Sequence, residues 1–323
     1  MAHLINIDAY RNRANMAYVG EKPWHGLGQL LTEDAPLEVW AAEAGFTHTI
    51  ESSKVQFRNH NAELATHSKR NVLFHSETGA PLGVVSNRYH VVQPMEVLEF
   101  YRDLVEASGD FQLETAGILD EGQRYWALAK YREGFEFGRD TINPYLLLAT
   151  SCDGTMATRA KFTKIRTVCN NTLQAGLGQK NGTDISIPHS RVFDPAEVKT
   201  ELNISAVIPQ MQDTIEMLIN KSLDDQTAAD IFVELTAKKN SAGELTNENH
   251  VRRVSRELLI SLKTSPGADL ETARGTAWGV MNAVTHYVDH KARSRSVNNR
   301  FKSSQMGVGA DMKAQAFDLI QAA

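Results

Sequence analysis

At Asp194 the hydrophobic period of this chain changes, and that change limits the possible folds more than any single motif does. Before it, short segments of alternating apolar and polar residues are separated by Gly, Asp and Asn turns, the pattern of half-buried strands. After it, apolar residues recur three and four apart, the spacing of amphipathic helices. Strands first and helices second predict an α+β fold rather than a doubly wound α/β sheet. We expect a curved antiparallel sheet carrying a basic β-hairpin in the N-terminal half, and a helical C-terminal half. The chain divides into an arm over residues 1–35, a β-rich core over 36–193 and a helical region over 194–323 packed on or beside that core.

In the first half, a short helix from Pro36 to Glu43 ends at Gly45, a natural terminator. Strands are expected at 54–60, 70–76 and 82–92, with Glu77-Thr78-Gly79-Ala80 as a turn. Pro94 opens a helix through Glu106, with Met95, Leu98, Tyr101, Leu104 and Val105 on one face. Residues 111–118 and 123–131 read as a hairpin. Strands 144–151 and 155–168 are joined by Cys152-Asp153-Gly154, a strong turn signal. Beyond Asp194, helices are expected from Pro195 to Leu223 with a kink at Pro209, at 225–238, at 247–263, from Leu270 to Arg293, and from Met312 to Gln321.

Composition narrows the class. A 323-residue chain with 42% hydrophobic and 23% charged residues is long enough to bury a large core. No apolar run approaches the ~20 residues of a membrane span, and the first residues lack the apolar stretch of a secretory signal. Cys152 and Cys169 are too few for a disulfide framework or a cysteine-only zinc site, and two free thiols fit a reducing cytoplasm.

Charge points to a partner. Net charge is -5, yet Gly154–Thr183 carries Arg159, Lys161, Lys164, Arg166 and Lys180 without an acid. A second acid-free window, His290–Ala310, holds Lys291, Arg293, Arg295, Arg300 and Lys302. Positive charge gathered into two stretches of an acidic protein marks where a polyanion is met. Strand alternation puts Arg159 and Lys161 on one face and Lys164 with Arg166 on the other, so a bulge near Thr163 is expected to bring all four together. Such a stripe matches a sugar-phosphate backbone. The same residues also read as the solvated face of an amphipathic strand, with Lys guarding an edge, but a plain solvent face mixes signs. At Cys169-Asn170-Asn171-Thr172-Leu173 the strand is expected to turn into a short helix, whose Asn and Thr side chains cap it or offer groups to phosphate or base.

The stretch Thr276–His290 is the most structured motif. Ala277, Val280, Met281, Val284 and Val288 form a core stripe. A second row of Trp278, Asn282, His286 and Asp289 reads as a contact face, or as hydrogen-bonding groups at a boundary. His286 and His290 stand four apart like helical metal ligands, but no glutamate takes the catalytic place of HExxH, so neither metal nor other cofactor is expected. The second basic window follows this helix; its Ser, Asn and Gly content suits either a loop that orders on a nucleic-acid strand or a frayed connector. The pairs Gly26-Leu27-Gly28, Gly176-Leu177-Gly178 and Gly307-Val308-Gly309 lack phosphate-loop spacing.

Several segments resemble a group of phage- and plasmid-encoded proteins labelled phage/plasmid-like, within a domain-of-unknown-function group. They are Trp24-His25-Gly26-Leu27-Gly28, Val85 to Pro94, Thr150 to Ala157, Arg166 to Leu173, and Thr276-Ala277-Trp278-Gly279 through His290. That resemblance implies a mobile-element origin in a bacterial host. At the level of fold, a curved sheet with a basic hairpin and crossing helices is similar to the core of single-strand annealing proteins, which form rings. This is an analogy, since fold does not fix function.

Together these readings imply a cytoplasmic protein that binds single-stranded DNA and promotes annealing and recombination, as a homo-oligomer, with no membrane partner and no chemical catalysis. Arg159, Lys161, Lys164, Arg166, Asn170 and Lys180 would line one surface, and Lys291, Arg293, Arg295, Arg300 and Lys302 would clamp from outside. Two rivals stand. One is a metal-dependent enzyme acting on nucleic acid or nucleotide through Asp153, His286, Asp289 and His290. The other is a structural or host-interaction protein using the Trp278 face.

Overall fold

The computed structural model describes residues 5–8, 12–20, 27–166, 171–173, 184–294, 303–304 and 307–323. The N-terminal part contains β1 (Ile7–Asp8), β2 (Arg13–Ala14), β3 (Met16–Tyr18), β4 (Gln29–Leu30) and α1 (Leu37–Ala44). Then come β5 (Ile50–Arg58), β6 (Leu64–His75), β7 (Pro81–Ser86) and α2 (Pro94–Ser108). They are followed by β8 (Phe111–Leu119), β9 (Arg124–Tyr131), β10 (Phe135–Phe137), β11 (Asp140–Ser151), β12 (Thr158–Arg166), β13 (Asn171–Leu173) and β14 (Asp184–Ile187). The remainder is helical: α3 (Pro195–Leu202), α4 (Ile204–Asn220), α5 (Asp225–Thr236), α6 (Glu248–Thr264), α7 (Ala277–His286) and α8 (Val308–Ala322). The fold is α+β, as the change of period predicts.

The main sheet has the order β13-β12-β11-β9-β8-β3-β4, with β10 on β11 and β14 on β12; β5-β6-β7 form a separate sheet. β11 lies inside the main sheet and is buried on both faces from Tyr145 to Ser151. One face packs against α2. The Tyr101 hydroxyl donates toward the carbonyl oxygens of Ala127 and Leu146, both at 2.9 Å, pinning that helix over β9 and β11. A small cluster of Ile5, Ala14, Met16 and Leu119, with Leu27 and Trp126, is separate from this core. The N-terminal segment is therefore more than an appended arm: β3 pairs antiparallel with β8 and parallel with β4.

One apolar core runs through both halves of the chain. The fully buried Asp140 at the start of β11 accepts hydrogen bonds from Trp278 Nε1 (3.1 Å) and the Thr272 hydroxyl (2.8 Å), tying sheet to α7. The long helix expected from Leu270 to Arg293 is shorter. Turns run to Gly275 in the left-handed region (φ 68), and the Thr276 hydroxyl then caps α7 by accepting from the Gly279 amide. After His286 a π-helical turn covers Tyr287–Lys291. Between Pro195 and Asn220 the break falls at Asn203 (φ 42), and Pro209 lies inside α4. Asn tolerates that left-handed conformation better than most residues.

Candidate nucleic-acid interface

The β11–β12 hairpin carries the first basic window, and its geometry differs from the expectation. β12 pairs with β11 without interruption from Arg159↔Ala149 to Arg166↔Ile142. No bulge occurs at Thr163, so Lys164 and Arg166 keep register positions of opposite parity to Arg159 and Lys161. The four cations do not share one strand face. Lys161 is also neutralised: β14 brings Asp184 opposite it, and the two form an ion pair at 3.3 Å with little exposure. Asp184 is the first acid after the acid-free window, so the window ends just before the residue that cancels one of its charges. Asn171–Leu173 forms β13, paired with Lys164–Arg166, in place of the expected short helix. Asn170, Lys180 and Cys169 lie outside the described residues, as do Trp24 and His25.

Arg159 keeps its charge available. It is half-buried, and among the described residues no carboxylate pairs with it. Ser186 of β14 stands opposite it, and across β11 the same sheet face carries Arg124, because Ala149 pairs Arg159 on one side while Ser151 pairs Arg124 on the other. These two arginines line a cavity of about 390 Å³ together with Thr155, Met156, Ala157 and Ser186. Its remaining wall is Ser303, Gly307 and Val308, from the second acid-free window. The fold thus brings both windows to one cavity.

The cavity lining joins cations and hydroxyls to two neighbouring carboxylates. Arg124 donates to the Thr155 hydroxyl (2.9 Å) and pairs with Asp120 (3.2 Å), while its buried Nε–H has no partner among the described residues. Thr155 in turn donates its hydroxyl (2.7 Å) and its amide (2.9 Å) to Asp153. Burial opposes charge on Asp153, but those hydrogen bonds and the nearby Arg124 hold its carboxyl below the ordinary range. At the opposite wall α8 starts behind Gly307; Ser303 Oγ accepts from the Gly309 amide at 3.1 Å, and Asp311 lies in the first turn.

The second window is divided. Lys291 pairs with Glu257 at 3.8 Å and Arg293 is exposed; Arg295, Arg300 and Lys302 lie outside the described residues. The row read as a contact face turns inward. Trp278 is fully buried and Asn282 nearly so, its amide donating to the Trp278 carbonyl (2.8 Å), because α7 is enclosed by helices on several sides. Asp289 forms a 2.6 Å ion pair with the fully buried Lys313. His286 lies 5.1 Å from His290 ring to ring, and burial, then the neighbouring His290 and Lys291, push it down to about 4. The carboxylate that a metal would need here is taken by Lys313. Among the described residues no group of three His, Cys, Asp or Glu side chains is placed to hold a metal ion.

Sequence reasoning missed Arg124 and Ser186. Arg124 stands outside both windows and three residues after an acid pair, so only the strand order β12-β11-β9 places it beside Arg159.

The chain belongs to a family described only as a domain of unknown function (DUF932), which matches residues 81–305. The match takes in α2, the β8–β14 part of the main sheet and the helices through α7. Comparison with curated proteins found no match, and neither did comparison with solved structures. Among the described residues no helix is long and apolar enough to cross a membrane.

Proposed function

We propose that this chain binds single-stranded DNA through its phosphates and promotes the annealing of complementary strands. The observation that carries this reading is the convergence of the two acid-free windows on one cavity holding Arg124 and Arg159. A phosphate seated there would meet the Arg159 guanidinium, the remaining donors of Arg124 beside its Asp120 partner, and the hydroxyls of Ser186 and Ser303. Contacts of this type hold the backbone and leave bases unpaired and outward, the state that annealing requires. Annealing changes which bases are paired and breaks no covalent bond. One such cavity gives a modest grip, so tight binding calls for several copies along a strand, a homo-oligomer.

The test is fluorescence anisotropy on labelled single-stranded and duplex DNA over a salt series. Wild type is expected to bind single strands more tightly, with affinity falling steeply as salt rises. Arg159→Ala removes a side chain that no carboxylate among the described residues holds, so it breaks no described ion pair of the fold. It should flatten the single-strand salt slope by about 0.7 for each phosphate that the arginine neutralises. A slope unchanged in Arg159→Ala refutes the assignment of the cavity.

A further inference from the structure

The separate sheet contains an element that the cavity does not use. β7 pairs with β6 only over Arg70–Phe74, so beyond Arg70 the β5–β6 hairpin projects as a two-stranded ribbon. Of residues 54–70, only Val55, Asn59 and Ala65 are even half-buried; both faces of the ribbon meet solvent. Phe57 is 49% exposed and Leu64 62%. Its tip is nonetheless built: Asn59 Oδ1 accepts from the amides of Asn61 and Glu63, both at 3.0 Å, and Arg58 donates to the Ala62 carbonyl at 2.9 Å. A bare two-stranded ribbon is marginal in water, and open strand edges invite a partner.

Charge says which partner. The ribbon and its root, where Lys54 stands opposite Asn71 and Arg70 opposite Ser86 of β7, carry Lys54, Arg58, Lys69 and Arg70 against the single acid Glu63, in a chain whose net charge is -5. None of the four cations pairs with a carboxylate among the described residues. Gln56 and Arg58 share a face of β5, in register with Thr66 and Leu64 across the ribbon. A bulge between Lys54 and Gln56 shifts the register, so that Lys54 stands opposite Asn71 and Lys69 and Arg70 fall in the irregular stretch of β6. The geometry points to a double-stranded DNA contact, with the β5–β6 ribbon lying in the major groove and its cations on the flanking phosphates. Paired strands stand about 4.8 Å apart, and with side chains the ribbon fills a groove about 12 Å wide, which admits an element of this kind. The ribbon is rooted beside the cavity: Gly83 of β7 packs so close to Asp153 that a Cβ there would lie 2.7 Å from the Asp153 Cα, and Thr155 of the same turn lines the cavity. This inference extends the nucleic-acid reading but rests on another surface, so each can fail alone. Single strand at the cavity and duplex at the ribbon would place the junction of a growing duplex between them.

The experiment uses the full chain, a duplex of about two helical turns and a single strand of equal length. In the fourfold variant Lys54→Ala/Arg58→Ala/Lys69→Ala/Arg70→Ala, duplex affinity should fall about tenfold or more. The duplex salt slope should drop by about one per cation that met a phosphate, while single-strand affinity holds. A double variant, Lys54→Gln/Lys69→Gln, gives half of that slope change and serves if the fourfold variant melts early. Unchanged duplex binding overturns the inference, as does an equal loss on both DNA forms. A changed sedimentation coefficient with duplex affinity intact also overturns it, since the ribbon would then face another protein copy. If Arg159→Ala leaves single-strand binding unchanged while the ribbon variant loses the duplex, the cavity reading fails and the ribbon stands.

Discussion

Replacing Asp289 by Ala should be among the most damaging single changes in the helical half, and the cost can be worked from the geometry. Lys313 is fully buried and Asp289 nearly so, with 2.6 Å between Nζ and Oδ1. The Ser304 carbonyl lies 3.4 Å from the same ammonium. Burial pushes the Lys313 ammonium below its ordinary range, against the pull of Asp289. Removing one partner of a buried pair leaves the other charge in a poor solvent, a loss of about 3–5 kcal/mol. Total stability is about 5–15 kcal/mol for a typical domain, so the urea midpoint should move far. Lys313→Met on the Asp289→Ala background replaces the buried ammonium with an apolar chain of similar length and should recover most of the loss. The pH dependence follows from linkage. With its folded-state pKa depressed, Lys313 binds fewer protons folded than unfolded, so stability of Asp289→Ala should rise with pH in the alkaline range. Urea denaturation of the four members of the double-mutant cycle, followed by far-UV circular dichroism, measures all of this. A loss in Asp289→Ala below about 1 kcal/mol would show that Lys313 reaches water and would refute the reasoning. The same variant bears on the metal-enzyme reading, which requires Asp289 to be available to an ion; a buried ion pair instead makes its loss a stability defect.

Two further changes test the packing elsewhere. His48 is 5% exposed, stacked on His75 at 3.7 Å, with Nδ1 donating to the Gly45 carbonyl and Nε2 accepting from the Tyr125 hydroxyl. Burial and then His75 push it down to about 4 from 6.5. It therefore adds stability of order ~3 kcal/mol above pH 6.5, lost as pH falls from there towards 4. Urea midpoints should show that slope and His48→Gln should flatten it, whereas an imidazole titrating near its ordinary value by NMR would contradict the account. Gly279→Ala would normally gain about 1 kcal/mol of helix propensity. Here the new Cβ would sit 1.9 Å from the Ala273 carbonyl oxygen, so we expect a loss of about 3 kcal/mol or more, and a neutral result in thermal unfolding would disprove the close approach.

Local signals in the chain are legible where a local cause acts. α1 stops at Gly45 because the left-handed conformation there (φ 80) returns its amide to Ala41, and α2 starts at Pro94 behind a capping box of Gln93 and Glu96. The β8–β9 hairpin forms where the turn at residues 119–122 places it, with a bulge between Leu113 and Thr115. Long-range partners are not legible. Nothing around Trp278 announces that Asp140, far away on β11, accepts its indole N–H, and that bond turns an apparent surface row into core. Residues 270–275 read as the first turns of a long helix, yet they form turns in which Ala273 packs closely on Gly279.

The same limit governs the charge argument, and it explains why the candidate site moved rather than vanished. An acid-free window guarantees only that no carboxylate is near in sequence. Strand pairing imports one from the next strand, as Asp184 reaches Lys161, and helix packing imports another, as Glu257 reaches Lys291. A cation stays available to a polyanion only where its cross-strand and cross-helix neighbours are neutral. Arg159 meets that condition because Ala149 and Ser186 flank it. The ribbon cations meet it because the β7 residues at their root are neutral, Ser86 opposite Arg70 and Val85 opposite the Asn71 that pairs with Lys54, while among the described residues no third strand flanks Arg58. Accessible positive charge is therefore set by topology, and two places where topology spares it are Arg159 in the cavity and the β5–β6 ribbon. A substitution that imports an acid should act like deletion of the cation: Ser186→Asp, opposite Arg159, is expected to depress single-strand binding as much as Arg159→Ala does, without touching any basic residue.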